Sequence, residues 1–380
     1  MVAVVVLWVS IGLLAYHYVG FPLVMFLLSR VRARPVRAAD VTPRVTMIIA
    51  AYNEERVIAA KCENTLVLDY PSDKLDVIIV ADGSNDATVS IAEAYAARGI
   101  RVMHEPARRG KTSALNRAVA EATGDILFFS DANTIYEPGT LRTLMRSFAD
   151  DDVGGVSGRK VILQDATRAA SGGETAFWGY EGFLKHCESL VGSIATADGE
   201  IFAMRRSLFE PIPAHVVHDD MYLTLRIVEQ GRRVISEMHA TSAEFASKSF
   251  FDELHLKVRY ASAGYQILGL FRNRLLPPKS WFAVEFLSHK LLRWTGFAWL
   301  LLAFVANALL IGQPFYNLLF GLQLAFYALA LIGWLLYGRV RLPGAVYFPL
   351  YFSLGNYAGL IGFFRFLRKG QTTLWRRAER

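Results

Sequence analysis

Acidic and amide side chains stand directly after three short apolar runs in the first third of the chain. The groups are Tyr52-Asn53-Glu54, Asp82-Gly83-Ser84 and Asp131-Ala132-Asn133. Carboxylate and amide oxygens are ligands of Mg²⁺ and Mn²⁺, and a metal held by them can bind a diphosphate. Helix caps or turns would explain Asn53 and Asp86 equally well. Because Asp82 and Asp131 directly end apolar strands, we favour a functional site there.

Strands and helical stretches alternate through this region. Strands are predicted at Val45–Ala51, Leu75–Ala81, Ile100–His104 and Asp125–Ser130, and helical stretches begin near Glu54, Asp86, Lys111 and Gly139. Such alternation predicts an α/β fold, with a parallel sheet covered by helices on both faces. Ligands of these sheets bind at the carboxyl ends of the strands, which is where the acidic and amide residues stand.

Two common nucleotide-binding motifs do not explain these residues. No Gly-x-Gly-x-x-Gly follows a strand, so the sequence does not support a dehydrogenase. Gly110-Lys111-Thr112 resembles the end of a P-loop, but Glu105 stands where that motif has its first glycine. A Walker-type phosphate cradle is therefore excluded.

The composition favours a membrane protein. Of 380 residues, 53% are hydrophobic, 13% aromatic and only 20% charged, which excludes intrinsic disorder. Two cysteines, Cys62 and Cys187, are too few for a disulfide scaffold or a cysteine-ligated zinc site. The net charge of +7 arises in residues 29–44 and 365–380, which flank apolar runs. We therefore interpret it as attraction to anionic membrane lipids on the cytoplasmic side and not as nucleic-acid binding.

Uncharged segments near both ends of the chain predict transmembrane helices. Residues 1–29 form the first, since residues 2–28 lack Lys, Arg, Asp and Glu and exceed the ~20 residues that a crossing needs. Arginines follow this helix and none precedes it, which argues against a cleaved signal peptide and places the linker 30–44 in the cytoplasm. Residues 294–337 are predicted to form a transmembrane hairpin, with Gln313-Pro314 between two uncharged runs.

Two other C-terminal segments leave alternatives open. Residues 280–293 have the pattern of an amphipathic interfacial helix, and a core helix of the soluble domain fits them equally. Within residues 338–364, Pro343–Phe364 is long enough to cross the membrane but has basic residues at both ends. We favour a bent or re-entrant path over a true crossing, because it returns the basic tail, residues 365–380, to the cytoplasm. Residues 45–279 remain as the soluble domain.

Five stretches of this domain, taken in order, resemble the membrane-bound family-2 inverting glycosyltransferases, which include cellulose, chitin, hyaluronan and poly-N-acetylglucosamine synthases. They are Ile49–Glu55, Val80–Thr88, Phe129–Asn133, Asp198–Arg206 and His218–Arg226. The resemblance covers about residues 45–265. It implies a GT-A fold with a mainly parallel sheet, flanked by transmembrane helices.

The resemblance also implies roles on the donor side of the site. Tyr52 and Glu54 would border the nucleobase and ribose, Asp82 would hydrogen-bond the uracil ring, and Lys111 would lie nearby. Asp131 matches the first Asp of the family's Asp-x-Asp, which contacts the ribose and the metal on the UDP diphosphate. Asn133 replaces the second Asp. An amide oxygen can still ligate Mg²⁺ or Mn²⁺, but without charge.

On the acceptor side, Asp220 matches the family's catalytic base. A sugar hydroxyl is a poor nucleophile near pH 7, so a positioned carboxylate must take its proton during the attack on the anomeric carbon. Asp219 and Asp220 open a predicted helix, so an N-cap role is the alternative for either. We interpret His218 as a local hydrogen-bonding residue. Gly199 matches a residue near the acceptor, although a turn glycine would look the same.

The last family motif departs most from the pattern. Where processive synthases have Gln-x-x-Arg-Trp, this chain has Leu256-Lys257-Val258-Arg259-Tyr260. Lys257 and Arg259 would hold the departing diphosphate, and Tyr260 would stack on an acceptor sugar. An ordinary amphipathic helix with two solvated cations is an alternative of nearly equal weight.

The sequence therefore predicts an enzyme of the cytoplasmic membrane that transfers sugar from a UDP-sugar, with Mg²⁺ or Mn²⁺, to a growing β-linked saccharide. Transfer of one sugar to a lipid acceptor, such as a polyprenyl phosphate or a sphingolipid, is the alternative. A non-catalytic membrane subunit ranks last, because Asp82, Asp131 and Asp220 are all present. Few crossings would leave a narrow channel, so a homo-oligomer or an export partner is expected. Membrane lipids are expected partners, and nucleic acid is not.

Overall fold

The structure is a computed structural model that describes residues 1–163, 171–245, 250–340, 342–370 and 373–374. Within these ranges the central sheet has eight strands in the order β3-β2-β1-β4-β7-β6-β8-β5. Their bounds are β1 Val45–Ala51, β2 Leu75–Asp82, β3 Ile100–Glu105, β4 Ile126–Asp131, β5 Ile135–Tyr136, β6 Val153–Leu163, β7 Phe202–Arg205 and β8 Arg233–Phe245. Each of the first four strands begins and ends within one residue of its predicted bounds.

The sheet is mainly parallel, as the sequence predicts. Strands β1 to β4 pair in parallel, as do β6 and β8. Strand β7 pairs antiparallel with both β4 and β6, and β5 pairs antiparallel with β8. The parallel register of β1 with β2 and β4 brings Ala51, Ala81 and Asp131 to one edge. The residues that follow β1 and β2, and Asp131 at the end of β4, therefore meet at this edge.

Helices cover both faces of the sheet. They are α3 Ile58–Leu66, α4 Thr88–Glu93, α5 Lys111–Ala120, α6 Thr140–Arg146, α7 Ser171–Val191, α8 Asp219–Glu229, α9 Phe250–Leu270 and α10 Arg272–Leu275. Alternate residues of a strand point to opposite faces, so Ile48 and Leu127 pack in one core while Met47 and Phe128 pack in the other. The continuous apolar runs of β1, β2 and β4 follow from burial on both faces.

The N-terminal segment and the C-terminal segments form apolar helices. Their bounds are α1 Val2–Ala15, α2 Phe21–Val31, α11 Trp281–Phe286, α12 Leu292–Trp294, α13 Gly296–Ala308, α14 Pro314–Leu336 and α15 Gly344–Leu367, with π-helical turns at Tyr16–Gly20 and Leu287–Leu291. Within the described ranges, Val2–Val31 and Pro314–Leu336 are each long and apolar enough to cross a bilayer. A third span results if Trp281–Trp294 and Gly296–Ala308, which meet at 61°, are counted together.

The interfacial helix expected at residues 280–293 is not what forms. Its polar side chains Glu285, His289 and Lys290 are buried rather than turned to water. Glu181 and Glu188 of α7 supply partners for His289 and Lys290: Glu181 lies 3.0 Å from His289 Nε2 and 3.1 Å from Lys290 Nζ, and Glu188 contacts His289 Nδ1. The burial of these side chains fits the core-helix alternative better than the interfacial one, because α7 brings carboxylates that local sequence periodicity does not reveal.

The segment Pro343–Phe364 also differs from the favoured bent or re-entrant path, because residues 344–367 form one 24-residue helix, α15. This helix lies along α9, where Tyr351 donates a hydrogen bond of 2.7 Å to Glu253 and Gly362 approaches Ala261. Thr373 follows the end of α15 and lies against Gly110, just before α5. The end of α15 therefore lies beside the α/β domain, while the side of the membrane stays a prediction.

The close packing of α15 on α9 makes Gly362 sensitive to substitution. A Cβ added there would stand 2.7 Å from Ala261 Cβ and 2.9 Å from the Ser262 backbone nitrogen. We expect Gly362→Ala to lower the free energy of unfolding by about 1–3 kcal/mol, as overpacking does. Gly355 of the same helix has no atom within 4 Å of such a Cβ, so Gly355→Ala is the matched control and should be neutral or stabilising. Thermal unfolding in detergent measures both, and equal melting temperatures would contradict the packing.

Candidate active site

A cavity of about 400 Å³ opens at the carboxyl ends of β1, β2 and β4. The amino-terminal ends of α5 and α8 and one face of α9 complete its walls. Most residues predicted for the site line it, on both the donor and the acceptor side: Tyr52, Glu54, Asp82, Lys111, Asp131, Asn133, Gly199, Asp219, Asp220, Arg259 and Tyr260. Residues as far apart in the chain as Tyr52 and Tyr260 are thus brought to one cavity by the fold.

Lys111 is the central cation of this cavity. Its Nζ lies 2.9 Å from Asp131 and 3.4 Å from Asp219, so one ammonium joins the end of β4 to the start of α8. Burial alone would lower the pKa of Lys111, but the carboxylates of Asp131 and Asp219 outweigh it and raise that pKa. The side chain therefore keeps its positive charge at neutral pH.

Asp220 is held by three groups at the start of α8. One carboxylate oxygen accepts a hydrogen bond of 3.1 Å from the Gly199 amide; the other accepts one of 2.7 Å from the Met221 amide and contacts His218 Nδ1. Burial would raise the pKa of Asp220, but His218 and Lys111 outweigh it, so the pKa falls below its usual range. Asp220 is consequently ionised at neutral pH, as a proton acceptor must be.

Asp219 and Asp220 are adjacent, yet their surroundings differ. Burial, helped by the charges of Asp220 and Asp131, raises the pKa of Asp219 despite the nearby Lys111. Two carboxylates whose pKa values are moved apart are a common sign of divided acid–base roles. Asp219 holds Lys111 while Asp220 contacts Gly199, so the geometry gives the two side chains separate tasks.

Gly199 owes its identity to space rather than to backbone conformation. A Cβ there would lie 3.0 Å from the carboxylate oxygen of Asp220, which is tighter than ordinary contact. Among the described residues, Gly83 and Gly110 have a positive φ, but Gly199 does not. The turn-glycine alternative therefore does not explain this position, whereas the close approach of Asp220 does.

Asp82 organises the loop before α5. Its carboxylate accepts hydrogen bonds from the backbone amides of Arg109 (3.1 Å) and Gly110 (2.6 Å), and the Arg117 guanidinium lies 3.4 Å away. Arg108 of the same loop stacks on the Tyr52 ring, with 3.6 Å from its guanidinium carbon to the ring centroid. Arg108 and Arg117 were not predicted, and a run of basic residues after β3 was the available signal.

Asn53 fits the turn role that the sequence left open for it. It adopts a positive φ of 54° and exchanges side-chain hydrogen bonds with Asn85. Asp86 accepts a hydrogen bond of 3.0 Å from the Thr88 amide at the start of α4, although Ala87 occupies the N-cap position. These two residues therefore shape the loops at the cavity edge.

Helix α3 holds the segment that follows Asp131. Lys61, wholly buried, donates to the carbonyl oxygen of Thr134 at 2.8 Å, and Asn64 exchanges two hydrogen bonds with the Tyr136 backbone. Burial lowers the pKa of Lys61 to about 7. Sequence reasoning missed both residues, although a lysine on the apolar face of a helix was a visible signal.

Lys257 was predicted to hold the diphosphate, and the structure turns it elsewhere. Its Nζ lies 3.3 Å from Glu253, one helical turn earlier, and over the rings of Phe177 and Tyr351 at 4.4 and 4.7 Å. Leu256, Arg259 and Tyr260 line the cavity, and the described lining does not include Lys257. The reason is tertiary: α7 and α15 supply aromatic faces that stabilise the ammonium.

Tyr260 packs against the ring of His218, with centroids 5.6 Å apart. Because His218 contacts Asp220, the acceptor-side motif on α9 is coupled to the start of α8. His218 thus has the local hydrogen-bonding role expected of it.

Asp131 and Asn133 are the residues that fit a divalent cation. The described residues contain no group of three His, Cys, Asp or Glu side chains arranged for a metal. Mg²⁺ and related ions often bind through one or two protein oxygens together with substrate phosphates, so a carboxylate and an amide lining one cavity are a sufficient protein contribution. The donor set therefore fits a metal that binds together with a nucleotide diphosphate.

Known proteins resemble this chain in sequence. Residues 46–212 match the model of glycosyl transferase family 2. A beta-monoglucosyldiacylglycerol synthase of Synechocystis is 27% identical over 63% of this chain and 52% of its own length. The probable glycosyltransferase YdaM of Bacillus subtilis is 30% identical over 50% of this chain and 48% of its own length. A poly-beta-1,6-N-acetyl-D-glucosamine synthase of Staphylococcus aureus is 23% identical over 62% and 58%. The chain thus spans about half the length of the curated relatives it matches.

The fold resembles a solved structure along nearly the whole chain. The mannosyltransferase PcManGT from Pyrobaculum calidifontis, in complex with GDP-Man and Mn²⁺, superposes with a TM-score of 0.73. The alignment covers 96% of this chain and 100% of that one, at 24% identity. The fold is therefore that of a GT-A glycosyltransferase with attached apolar helices. The comparisons thus show a region, residues 46–212, that is similar to glycosyl transferase family 2, within a chain whose fold resembles that of this mannosyltransferase.

Proposed function

We propose that this protein is a membrane-bound glycosyltransferase that moves a sugar from a UDP-sugar, with inversion, onto a growing β-linked saccharide at the cytoplasmic membrane face. One observation carries the proposal: a single cavity holds two charged groups side by side. The first is the ionised Asp220, which accepts a hydrogen bond from Gly199. The second is Lys111 with its two carboxylate partners, Asp131 and Asp219. The first group suits deprotonation of an acceptor, and the second suits binding of a diphosphate.

On the donor side, the nucleotide would lie along the ends of β1, β2 and β4. Tyr52 and Glu54 would border the base and ribose, and Asp82 with the loop at Arg109 would set the position of the base. Lys111, held in place by Asp131 and Asp219, would stabilise the charge that develops on the phosphates, because a preorganised cation needs no reorganisation as that charge forms.

A divalent cation, Mg²⁺ or Mn²⁺, would be held by Asp131 and Asn133. When bound, it supplies positive charge that stabilises the leaving nucleoside diphosphate. Arg259, which lines the same cavity, would add a second fixed charge to the phosphates. The amide of Asn133 contributes a neutral oxygen, so Asp131 provides the negative charge of this site.

On the acceptor side, Asp220 would take the proton of the attacking hydroxyl. The bond from that oxygen to the anomeric carbon forms as the bond to the diphosphate oxygen breaks, and the proton passes to the carboxylate. A single displacement inverts the anomeric centre and requires no enzyme nucleophile. Tyr260 would stack on the acceptor sugar, and its contact with His218 would align that sugar with the base.

Transfer of one sugar to a lipid-linked acceptor is the second candidate. Leu256, in place of the glutamine of processive synthases, lines the cavity with an apolar side chain. Retention of a long product depends on polar and aromatic contacts after each addition, and leucine offers only apolar contact. The aromatic Tyr260 and the cation Arg259 remain, so we place the polymer first.

The test is a transfer assay with the purified full chain in detergent. Radiolabelled UDP-sugars and a GDP-sugar are offered with Mg²⁺ or Mn²⁺, and products are separated into polymer, oligosaccharide and lipid fractions. We expect label from a UDP-sugar in the polymer or oligosaccharide fraction. Label only in the lipid fraction would replace the polymer with the lipid acceptor, and absence of transfer from every donor would contradict the proposal.

A further inference from the structure

Helix α7 carries three charged side chains into the interior of the protein. Glu181, Lys185 and Glu188 stand four and three residues apart, so they share one face of the helix. These residues are only 3%, 2% and 0% exposed. Charged side chains are seldom buried unless they are paired, so this face of α7 depends on partners from other elements.

The partners of this face lie in two parts of the chain. Glu181 lies 3.1 Å from Lys290, in the segment that leads to the apolar C-terminal helices. The Lys185 ammonium lies 2.5 Å from the carboxylate of Asp198, the residue before Gly199. Lys185 therefore connects α7 to the active site, whereas Glu181 connects it to the C-terminal helices.

Asp198 is fixed by contacts from two elements. Its side chain accepts the hydrogen bond from Lys185, and its backbone amide donates one of 2.9 Å to the Ser157 hydroxyl of β6. Asp198 is 7% exposed, and Ser157 is wholly buried. Because both contacts are shielded from water, they hold this residue more firmly than exposed contacts of the same kind would.

The residues on either side of Asp198 bind helix α8. The Ala197 amide donates to the Thr224 hydroxyl at 3.1 Å, and the Gly199 amide donates to the Asp220 carboxylate at 3.1 Å. A displacement of Asp198 would therefore move the amide that holds Asp220.

Stabilisation of the fold is a poor explanation for a buried pair such as Lys185 and Asp198. Removing two charges from water is costly, and uncharged side chains of similar volume often stabilise a protein as well or better. An ion pair adds a defined geometry, because the ammonium must lie where the carboxylate can accept its hydrogen bond. The pair is therefore better explained by the position it gives to the neighbouring Gly199.

Building on the proposed function, we propose that Lys185 is a positioning residue for Asp220 and acts through Asp198 and the Gly199 amide. The buried pair holds residues 197–199 against α8, so that the Gly199 amide meets one carboxylate oxygen of Asp220. The carboxylate is thereby kept in one orientation toward the acceptor hydroxyl. Lys185 is not among the described residues that line the cavity, so it acts only through its neighbours.

The same arrangement bears on the charge of Asp220. A hydrogen bond to the charged form of a carboxyl group lowers its pKa, so loss of the Gly199 bond should raise the pKa of Asp220. Transfer needs the ionised carboxylate, so the fall of kcat/KM at acid pH should then begin at a higher pH. The titratable groups that face Asp220, namely Lys111 of α5, Asp219 of α8 and His218 just before α8, stay unchanged in the variants below.

The experiment removes both charges of the pair from the full chain in detergent. Lys185→Met alone leaves the Asp198 carboxylate buried without its cation, which can prevent folding, so the test variant combines Lys185→Met with Asp198→Asn. We expect kcat for transfer to fall by about 10- to 100-fold, because a small displacement of a catalytic group has effects of this size. The nucleotide Kd should stay within about twofold, which also shows that the variant is folded. The acid limb of the pH profile should move to higher pH.

Lys290→Met is the matched control. Lys290 is another buried lysine paired with α7, and its partner Glu181 keeps a contact of 3.0 Å with His289 when the lysine is replaced. Its kcat and its acid limb should equal those of the parent protein.

Three results would overturn the inference. The first is a double variant that binds nucleotide and has the kcat and the acid limb of the parent. The second is an equal loss of kcat in Lys290→Met, since any broken pair on α7 would then have the effect. The third is a loss of nucleotide affinity together with kcat, because the effect would then not be specific to Asp220.

Failure of this inference can be told from failure of the proposed function. If the parent protein consumes no nucleotide sugar, the proposed function fails, and the positioning role fails with it. If the parent transfers sugar and the double variant matches it, only the positioning role is wrong.

Discussion

Replacing Asp220 with Asn should reduce kcat for sugar transfer by about 10²–10⁴-fold, the range contributed by a general base. The amide oxygen of Asn can still accept the hydrogen bond from Gly199, so the cavity should keep its shape. Nucleotide affinity should change by no more than a few fold, because the lost interaction belongs to the transition state. Steady-state kinetics and calorimetry of nucleotide binding measure the two effects separately.

Asp219→Asn is the matched control for that variant. It weakens the contact with Lys111, so we expect it to alter donor binding more than Asp220→Asn does. Near-normal turnover in Asp220→Asn would remove this residue from the mechanism. The pH profile offers a second check: because the pKa of Asp220 lies below its usual range near 4, its protonation should cause no loss of kcat/KM between about pH 5 and 8.

Replacing Asp131 with Ala should abolish metal-dependent nucleotide binding and lower turnover by about 10²–10³-fold, the usual size of a lost electrostatic contribution. The change removes the carboxylate assigned to the metal and leaves Lys111 without its partner at 2.9 Å. Titration of Mn²⁺ and nucleotide against the variant measures the binding loss. A chelator should have the same effect on the parent protein, and chelator-insensitive turnover would contradict the metal role.

Asn133→Asp is the paired variant for the metal. A second carboxylate should raise the affinity for Mn²⁺ or leave it unchanged, since it adds charge at a position that lines the cavity. A fall in affinity would mean that Asn133 does not face the ion.

The donor side of the site was the part that sequence could predict. Asp82 and Asp131 end apolar strands, and parallel pairing of β1 with β2 and β4 carries strand ends to one edge whatever the rest of the chain does. The pair Asp219-Asp220 was visible as two carboxylates at a helix start. Local patterns were enough for Asp82 and Asp131, because the positions of these strand-end residues follow from strand direction.

The acceptor side depended on contacts that no local pattern encodes. Lys160, Glu200 and Glu244 meet at the cavity because β7 pairs antiparallel with β6, and β6 pairs in parallel with β8. Lys257 turns toward Glu253 and two aromatic rings because α7 and α15 pack there. The burial of His289 likewise depends on carboxylates more than 100 residues away. Each of these positions is set by long-range packing.

The configuration of the new glycosidic bond tests the central proposal, single displacement with Asp220 as base, most directly. Product formed by the full chain from an α-linked nucleotide sugar can be isolated and its anomeric proton examined by NMR. We expect a β-linkage, and therefore inversion, which requires a base such as Asp220 and no covalent sugar–enzyme intermediate. An α-linked product would show retention and contradict the mechanism.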